Sequence, residues 1–289
     1  MDNSVSDASE NEVDRDEDRE PWGKDQDRML EMLRKDDRVC IDFHYSEVNR
    51  AVSISEVSKR IEDIGSVLKD ATRVREIDLS FDEGGMSWGL PTLHSNFGSV
   101  SSHDAIRDYV RTSKNLRSFS FCCTRGEIGN FSLSYMDALA ESMHVRNFRW
   151  TEIEASDIPL LCKLLKTNKS IQSIELAGYV DFYDDIHNTT ITERDLVELC
   201  RAFASNESLR SVKFEQIAFH RDEEEDDEDE EIDLASLDRQ NLSVKYLEFD
   251  VCKLNEESAA CFLHTFPCIE KLTTDALSPV MAYFAIDLE

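Results

Sequence analysis

Positive charge is what this chain most lacks. Against 61 Asp and Glu it carries 32 Lys and Arg, a formal net charge of −29. Nucleic-acid binding draws on Lys and Arg to neutralise phosphates, so no direct nucleic-acid partner is expected. Docking on an anionic membrane surface is disfavoured for the same reason. A field of this sign suits a basic protein, or a neutral one reached through an uncharged patch. No stretch approaches the roughly 18 apolar residues of a membrane span. The opening MDNSVSDASENEVDRDEDRE has neither a basic n-region nor an apolar h-region, so it does not read as a signal peptide. The 8 cysteines are scattered without a compact framework. A reduced, intracellular protein, cytoplasmic or nuclear, is expected.

Catalytic motifs are missing as well. There is no GxGxxG, no GxxxxGK[ST] and no HExxH. Gly85-Met86-Ser87-Trp88-Gly89 has GxSxG spacing, but it runs into Leu90-Pro91 where a nucleophile elbow needs a helix. Cys261 and His264 are three apart, with Cys252 and Cys268 nearby. The register derived below turns that pair to solvent without a fixed third ligand, so no metal site is expected. No enzymatic activity and no cofactor follow from these residues.

What is present is a repeat. The pattern apolar-x-x-apolar-x-apolar occurs as VREIDL from Val74, LRSFSF from Leu116, VRNFRW from Val145 and IQSIEL from Ile171. It returns as LRSVKF from Leu209, VKYLEF from Val244 and IEKLTT from Ile269, with a degenerate copy ending in Ile41-Asp42-Phe43. The last two apolar positions of each copy are two apart, so they share one face of a strand. Six residues before each start stand Leu68, Val110, Leu139, Leu165, Phe203, Asp238 and Leu263. Ten before stand Ile64, Ile106, Tyr135, Leu161, Leu199, Leu234 and Ala259. Positions four apart share a helix face, so an amphipathic helix precedes each strand. Asp238 breaks its column, and a short or shifted helix is expected there. Ser53 to Glu56, Ser134 to Asp137 and Thr192 to Asp195 have capping-box spacing. Cys162 and Cys200 fall beside the apolar stripe and read as core.

Asn168-Lys-Ser-Ile171, Asn206-Glu-Ser-Leu209 and Asn241-Leu-Ser-Val244 each lead into the strand motif. These corners resemble the Asn-x-Ser-Leu helix-to-strand corner of ribonuclease-inhibitor-like leucine-rich repeats. The Asn or Cys that such repeats carry after the strand is matched only by Cys252. The resemblance implies an α/β leucine-rich-repeat solenoid of about seven to eight repeats over residues 25–289, curved, with parallel strands concave and helices convex. One strand–helix unit cannot bury its apolar face alone, whereas stacked units bury a continuous core. Residues 1–24 are polar and acidic, and a disordered terminus is expected. Asp25 to Arg34 is expected to form a capping helix. The Asn-x-Ser/Thr sequons at Asn130, Asn168, Asn188, Asn206 and Asn241 include the three corners, so they read as structural.

Insertions follow strands at Asp82 to Ser101, Tyr179 to Thr190 and His220 to Glu231. The third includes ten uninterrupted acids, Asp222 to Glu231, and residues 1–28 hold eleven acids against four bases. The second carries Tyr179, Phe182, Tyr183, Asp184 and Asp185, aromatics suited to anchoring a partner beside an acidic arm. The third and fifth positions of each strand motif face away from the core, which exposes Arg149, Glu175, Lys213, Tyr246 and Glu248 among others. The second position reads Arg75, Arg117, Arg146, Gln172, Arg210, Lys245 and Glu270, residues expected to neutralise neighbouring acids as they enter the strand. Together these features favour a non-enzymatic scaffold that binds another protein through the concave face and the insertion rim. The chain is also similar to Ran GTPase-activating proteins and to histone-chaperone-like acidic repeat proteins, which implies a GTPase regulator or a binder of basic proteins. A further similarity is to the actin-capping repeats of tropomodulins. None of this sets an oligomeric state.

Overall fold

The computed structural model describes residues 31, 33, 35–44, 54–82, 92–95, 99–123, 129–178, 180–181, 186–187, 189–219 and 237–274. The acidic terminus, the run Asp222 to Glu231 and the Gly85 to Gly89 string lie outside them.

The strands are β1 (Arg38–His44), β2 (Glu76–Asp82), β3 (Thr92–Ser95), β4 (Ser118–Cys123), β5 (Asn147–Ile153) and β6 (Ser173–Gly178). They continue as β7 (Val180–Asp181), β8 (Ile186–His187), β9 (Thr190–Ile191), β10 (Ser211–Glu215), β11 (Ala218–Phe219), β12 (Tyr246–Asp250), β13 (Lys253–Leu254) and β14 (Lys271–Thr274). The helices are α1 (Ile54–Asp70), α2 (Asp104–Thr112), α3 (Gly129–Glu141), α4 (Ile158–Thr167), α5 (Glu193–Ala204) and α6 (Glu256–Thr265). Nine strands form one sheet in the order β14-β12-β10-β6-β5-β4-β2-β1-β3. Every neighbouring pair in it is parallel.

The strand motif sets the register. Ile77 pairs with Phe119, then Phe148, Ile174, Val212, Leu247 and Leu272 across the sheet. Two residues on, Leu79, Phe121, Trp150, Leu176, Phe214 and Phe249 make the second row. From Ile77 to Phe249 these side chains are buried, and they form one hydrophobic cluster with the helix residues Ile64, Leu68, Ile106, Val110, Tyr135, Leu139, Leu161, Leu165, Leu199 and Phe203. From α1 to α5 the six-back and ten-back columns therefore close the core from the helix side. At β14 the rows run out: Leu272 is only partly buried.

Corners are held by buried asparagines. Asn168 donates from Nδ2 to the carbonyls of Leu139 and Ser142, and its Oδ1 accepts from the N–H groups of Ser170 and Ile171. Asn206 and Asn241 repeat the arrangement one strand further each time. The amide satisfies main-chain groups that the helix end leaves without partners. All three are buried, which fits the structural reading of these sequons.

Strand ends repeat too. Glu152, Gln216 and Val251 have φ of 61°, 57° and 52°, and each stands seven residues after its motif start. This left-handed kink breaks the ladder, and the register shifts between Thr151 and Ile153. Beyond the kinks at Gln216 and Val251 the chain pairs again as β11 and β13, which form a small parallel sheet with β9. Gly178 serves this rim: a Cβ there would lie 2.3 Å from the carbonyl oxygen of Gln216.

Several expectations are corrected. The first copy pairs Val39 with Ile77 and Ile41 with Leu79, so its core pair is Val39 and Ile41, two residues earlier than read. Part of the insertion Asp82 to Ser101 becomes β3, which adds to the sheet outside β1. Ser134 is not a cap: α3 begins at Gly129, and the Ser134 hydroxyl donates to the carbonyl of Phe131. Thr192 does cap α5, its hydroxyl accepting from the Asp195 N–H at 3.2 Å.

Cys261 is buried, not solvent-facing. Its helix, α6, buries Ser258, Ala259, Cys261, Phe262 and Thr265, an arc turned by about one position from the expected stripe. Residues 237–240, where Asp238 breaks the column, carry no helix. Helices α5 and α6 are direct neighbours. Phenylalanines fill the junction: Phe203 lies 5.6 Å from Phe266, Phe214 5.0 Å from Phe262 and 5.4 Å from Phe249, centroid to centroid. His264 Nε2 contacts the Leu237 carbonyl at 3.0 Å. Among the described residues no group of His, Cys, Asp and Glu could hold a metal ion, and no helix is long and apolar enough to cross a membrane.

Candidate partner-binding surface

The sheet face turned away from the helices is open to solvent, because strand side chains alternate. Third-position residues Ser118, Asn147, Ser173, Ser211 and Tyr246 and fifth-position residues Ser120, Arg149, Glu175, Lys213 and Glu248 are all half-buried or exposed. Over β4 and the start of β5 this face is uncharged and hydroxyl-rich. Toward β12 it becomes ionic.

Lys213 is the centre of that region. Its Nζ lies 3.3 Å from Glu215, 3.6 Å from Glu248 and Asp250, and 3.7 Å from Glu175. Arg149 adds a second cation, 3.2 Å from Glu175 and 3.9 Å from Glu215. The arrangement follows from the register, which sets Arg149, Glu175, Lys213 and Glu248 side by side on β5, β6, β10 and β12. Burial draws the Lys213 ammonium down, but Glu175, Glu215 and Glu248 outweigh it and hold its pKa above the ordinary lysine value. Four carboxylates face two cations, so the region keeps a negative excess.

Of the residues singled out in sequence, Arg149, Glu175, Lys213 and Glu248 meet in this network. Tyr246 stands beside it, 49% exposed. Tyr179, Phe182, Tyr183, Asp184 and Asp185 lie outside the described residues. Glu215 and Asp250 were missed. Their signal was available, since the seventh position continues the outward alternation of the third and fifth.

The second-position column does not neutralise acids as expected, with one exception. Arg117 donates to the carbonyls of Leu116 and His144, Arg146 to that of Ser170, and Arg210 to those of Glu207 and Leu209. Among the described residues, only Lys245 of this column meets a carboxylate, Glu270, at 3.1 Å.

No protein-family model matches the chain, and no curated protein matches it in sequence. Solved structures do. It is similar to a tropomodulin C-terminal domain of Caenorhabditis elegans at 16% identity and a TM-score of 0.40, over 59% of this chain and 92% of that one. It is likewise similar to the leiomodin-1 actin-binding site 2 at 17% identity and a TM-score of 0.40, over 57% of this chain and 87% of that one. Likeness at this level assigns neither a partner nor an activity.

Proposed function

We propose that the chain is a leucine-rich-repeat solenoid of the ribonuclease-inhibitor-like type, without catalytic activity, that binds a protein partner through the outward sheet face. The observation that carries this reading is the face itself: strands from β4 to β12 present a continuous polar surface ending in the Lys213 network and exposed Tyr246. Extended surfaces of mixed polarity with an exposed aromatic suit protein recognition better than a small-molecule pocket. The negative excess around Lys213 and the net charge of −29 favour a partner that presents Lys or Arg there.

The test is comparative capture from cell extract at near-physiological salt, read by quantitative mass spectrometry. A Glu248→Lys/Asp250→Lys variant should lose the proteins that the parent chain retains, while Lys163→Glu on the helix side keeps them. Equal recovery by the sheet-face variant would overturn the reading.

A further inference from the structure

The edge where helices turn into strands carries features that the sheet-face reading does not use. In a chain with nearly two acids per base, Arg117, Arg146, Lys169 and Arg210 have no carboxylate within 4.0 Å among the described residues. Their side chains instead donate to main-chain carbonyls at the corners, Lys169 to that of Ser205 at 3.3 Å. A guanidinium has five donors, so each arginine is fixed in place with donors to spare. The backbone joins the row: the Gln172 N–H donates to the Arg146 carbonyl, Arg210 to Gln172 and Lys245 to Arg210. Among the described residues, the carboxylates on this edge include Glu207, 3.8 Å from Arg239, Glu270 on Lys245, and Glu141, two residues before Met143 and 2.9 Å from Arg111.

A second observation is independent of charge. The two most exposed large hydrophobic side chains described are Met143, 74% exposed, and Leu242, 64% exposed. Both stand two residues before a motif start, so both lie on this same edge, ahead of β5 and β12. Three strand spacings of about 4.8 Å separate them, roughly 14 Å. An extended peptide advances about 3.4 Å per residue, so side chains four positions apart match that distance.

We propose that this corner edge binds an extended acidic segment of another protein. Two of its apolar side chains, four positions apart, rest on Met143 and Leu242, and its carboxylates pair with Arg146, Lys169 and Arg210. The chain's own run Asp222 to Glu231 offers charge but not one apolar residue, and so lacks half of the match.

The test is fluorescence anisotropy of the full chain with a labelled Asp/Glu peptide of about twelve residues carrying two leucines four apart, at an ionic strength where the Debye length is about 8 Å. Saturable binding is expected, weakened at least about tenfold by Met143→Ser/Leu242→Ser and again by Arg146→Gln/Arg210→Gln. The pair Arg146→Lys/Arg210→Lys retains charge and should stay within about threefold of the parent, which separates lost charge from a damaged corner. Glu248→Lys/Asp250→Lys on the sheet face should leave this binding intact. The proposal is overturned if the parent does not bind, or if a leucine-free acidic peptide binds as tightly.

Discussion

Asn206 donates its side-chain amide to the main-chain carbonyl of Asn168 at 3.0 Å, linking two corners that lie 38 positions apart in sequence. Asn241 does the same to Asn206 at 2.6 Å. Each corner is thus hydrogen-bonded to the one before it, and the ladder fixes the spacing at which strands enter the sheet.

Replacing Asn168 by Ala removes the acceptor of the Ser170 and Ile171 N–H groups in a buried site. Unpaired buried donors are costly, and a loss of about 2–3 kcal/mol is expected. Urea denaturation of parent and variant measures it, with an unchanged m-value if the fold is retained.

Val251 is β-branched and holds φ of 52°. That region disfavours branched residues and tolerates Asn. Val251→Asn should stabilise the protein by about 1 kcal/mol, a rise of roughly 2–4 °C in melting temperature. Calorimetry decides it.

Gly178→Ala should destabilise, because its Cβ meets the backbone oxygen of Gln216 and the Thr189 side chain. A backbone shift on this scale costs about 1–3 kcal/mol. Hydrogen exchange should show the loss first at Thr190, Ile191, Ala218 and Phe219, which pair directly beyond that point.

Much of this architecture is legible in sequence because it is local. The pairs from Ile77 and Leu79 to Leu247 and Phe249 follow from a strand period of two and a common motif start, and the packing keeps that register throughout. What was not legible depends on how the array is interrupted or ended. Cys261 turns inward on a helix whose buried arc, Ser258, Ala259, Cys261, Phe262 and Thr265, departs from the column set by the other units. The strand Thr92–Ser95 follows no motif copy and pairs where β1 leaves an edge open. Within the ionic surface, Arg149, Glu175, Lys213 and Glu248 were found from alternation. Glu215 and Asp250 escaped because the outward row was ended one position too early.

Burial also sets an alkaline limit. The Cys162 and Cys261 thiols are pushed up to about 11, while an unfolded thiol ionises near about 8.5. Between those values the native chain binds more protons than the unfolded one, so stability falls as pH rises through that window. Lys213, also raised, acts in the same direction between the unfolded lysine value, near about 10.4, and its own higher folded value. Urea midpoints should decline from pH about 9 upward, and less steeply in Cys162→Ala/Cys261→Ala.

The central claim is that partners meet the outward sheet face. A photo-crosslinking residue placed at Ser211 reports on that face, and one at Lys163 reports on the helix side. Irradiation of the full chain in cells should give a discrete crosslinked partner from position 211 and none from position 163. A partner captured from 163 alone would contradict the account.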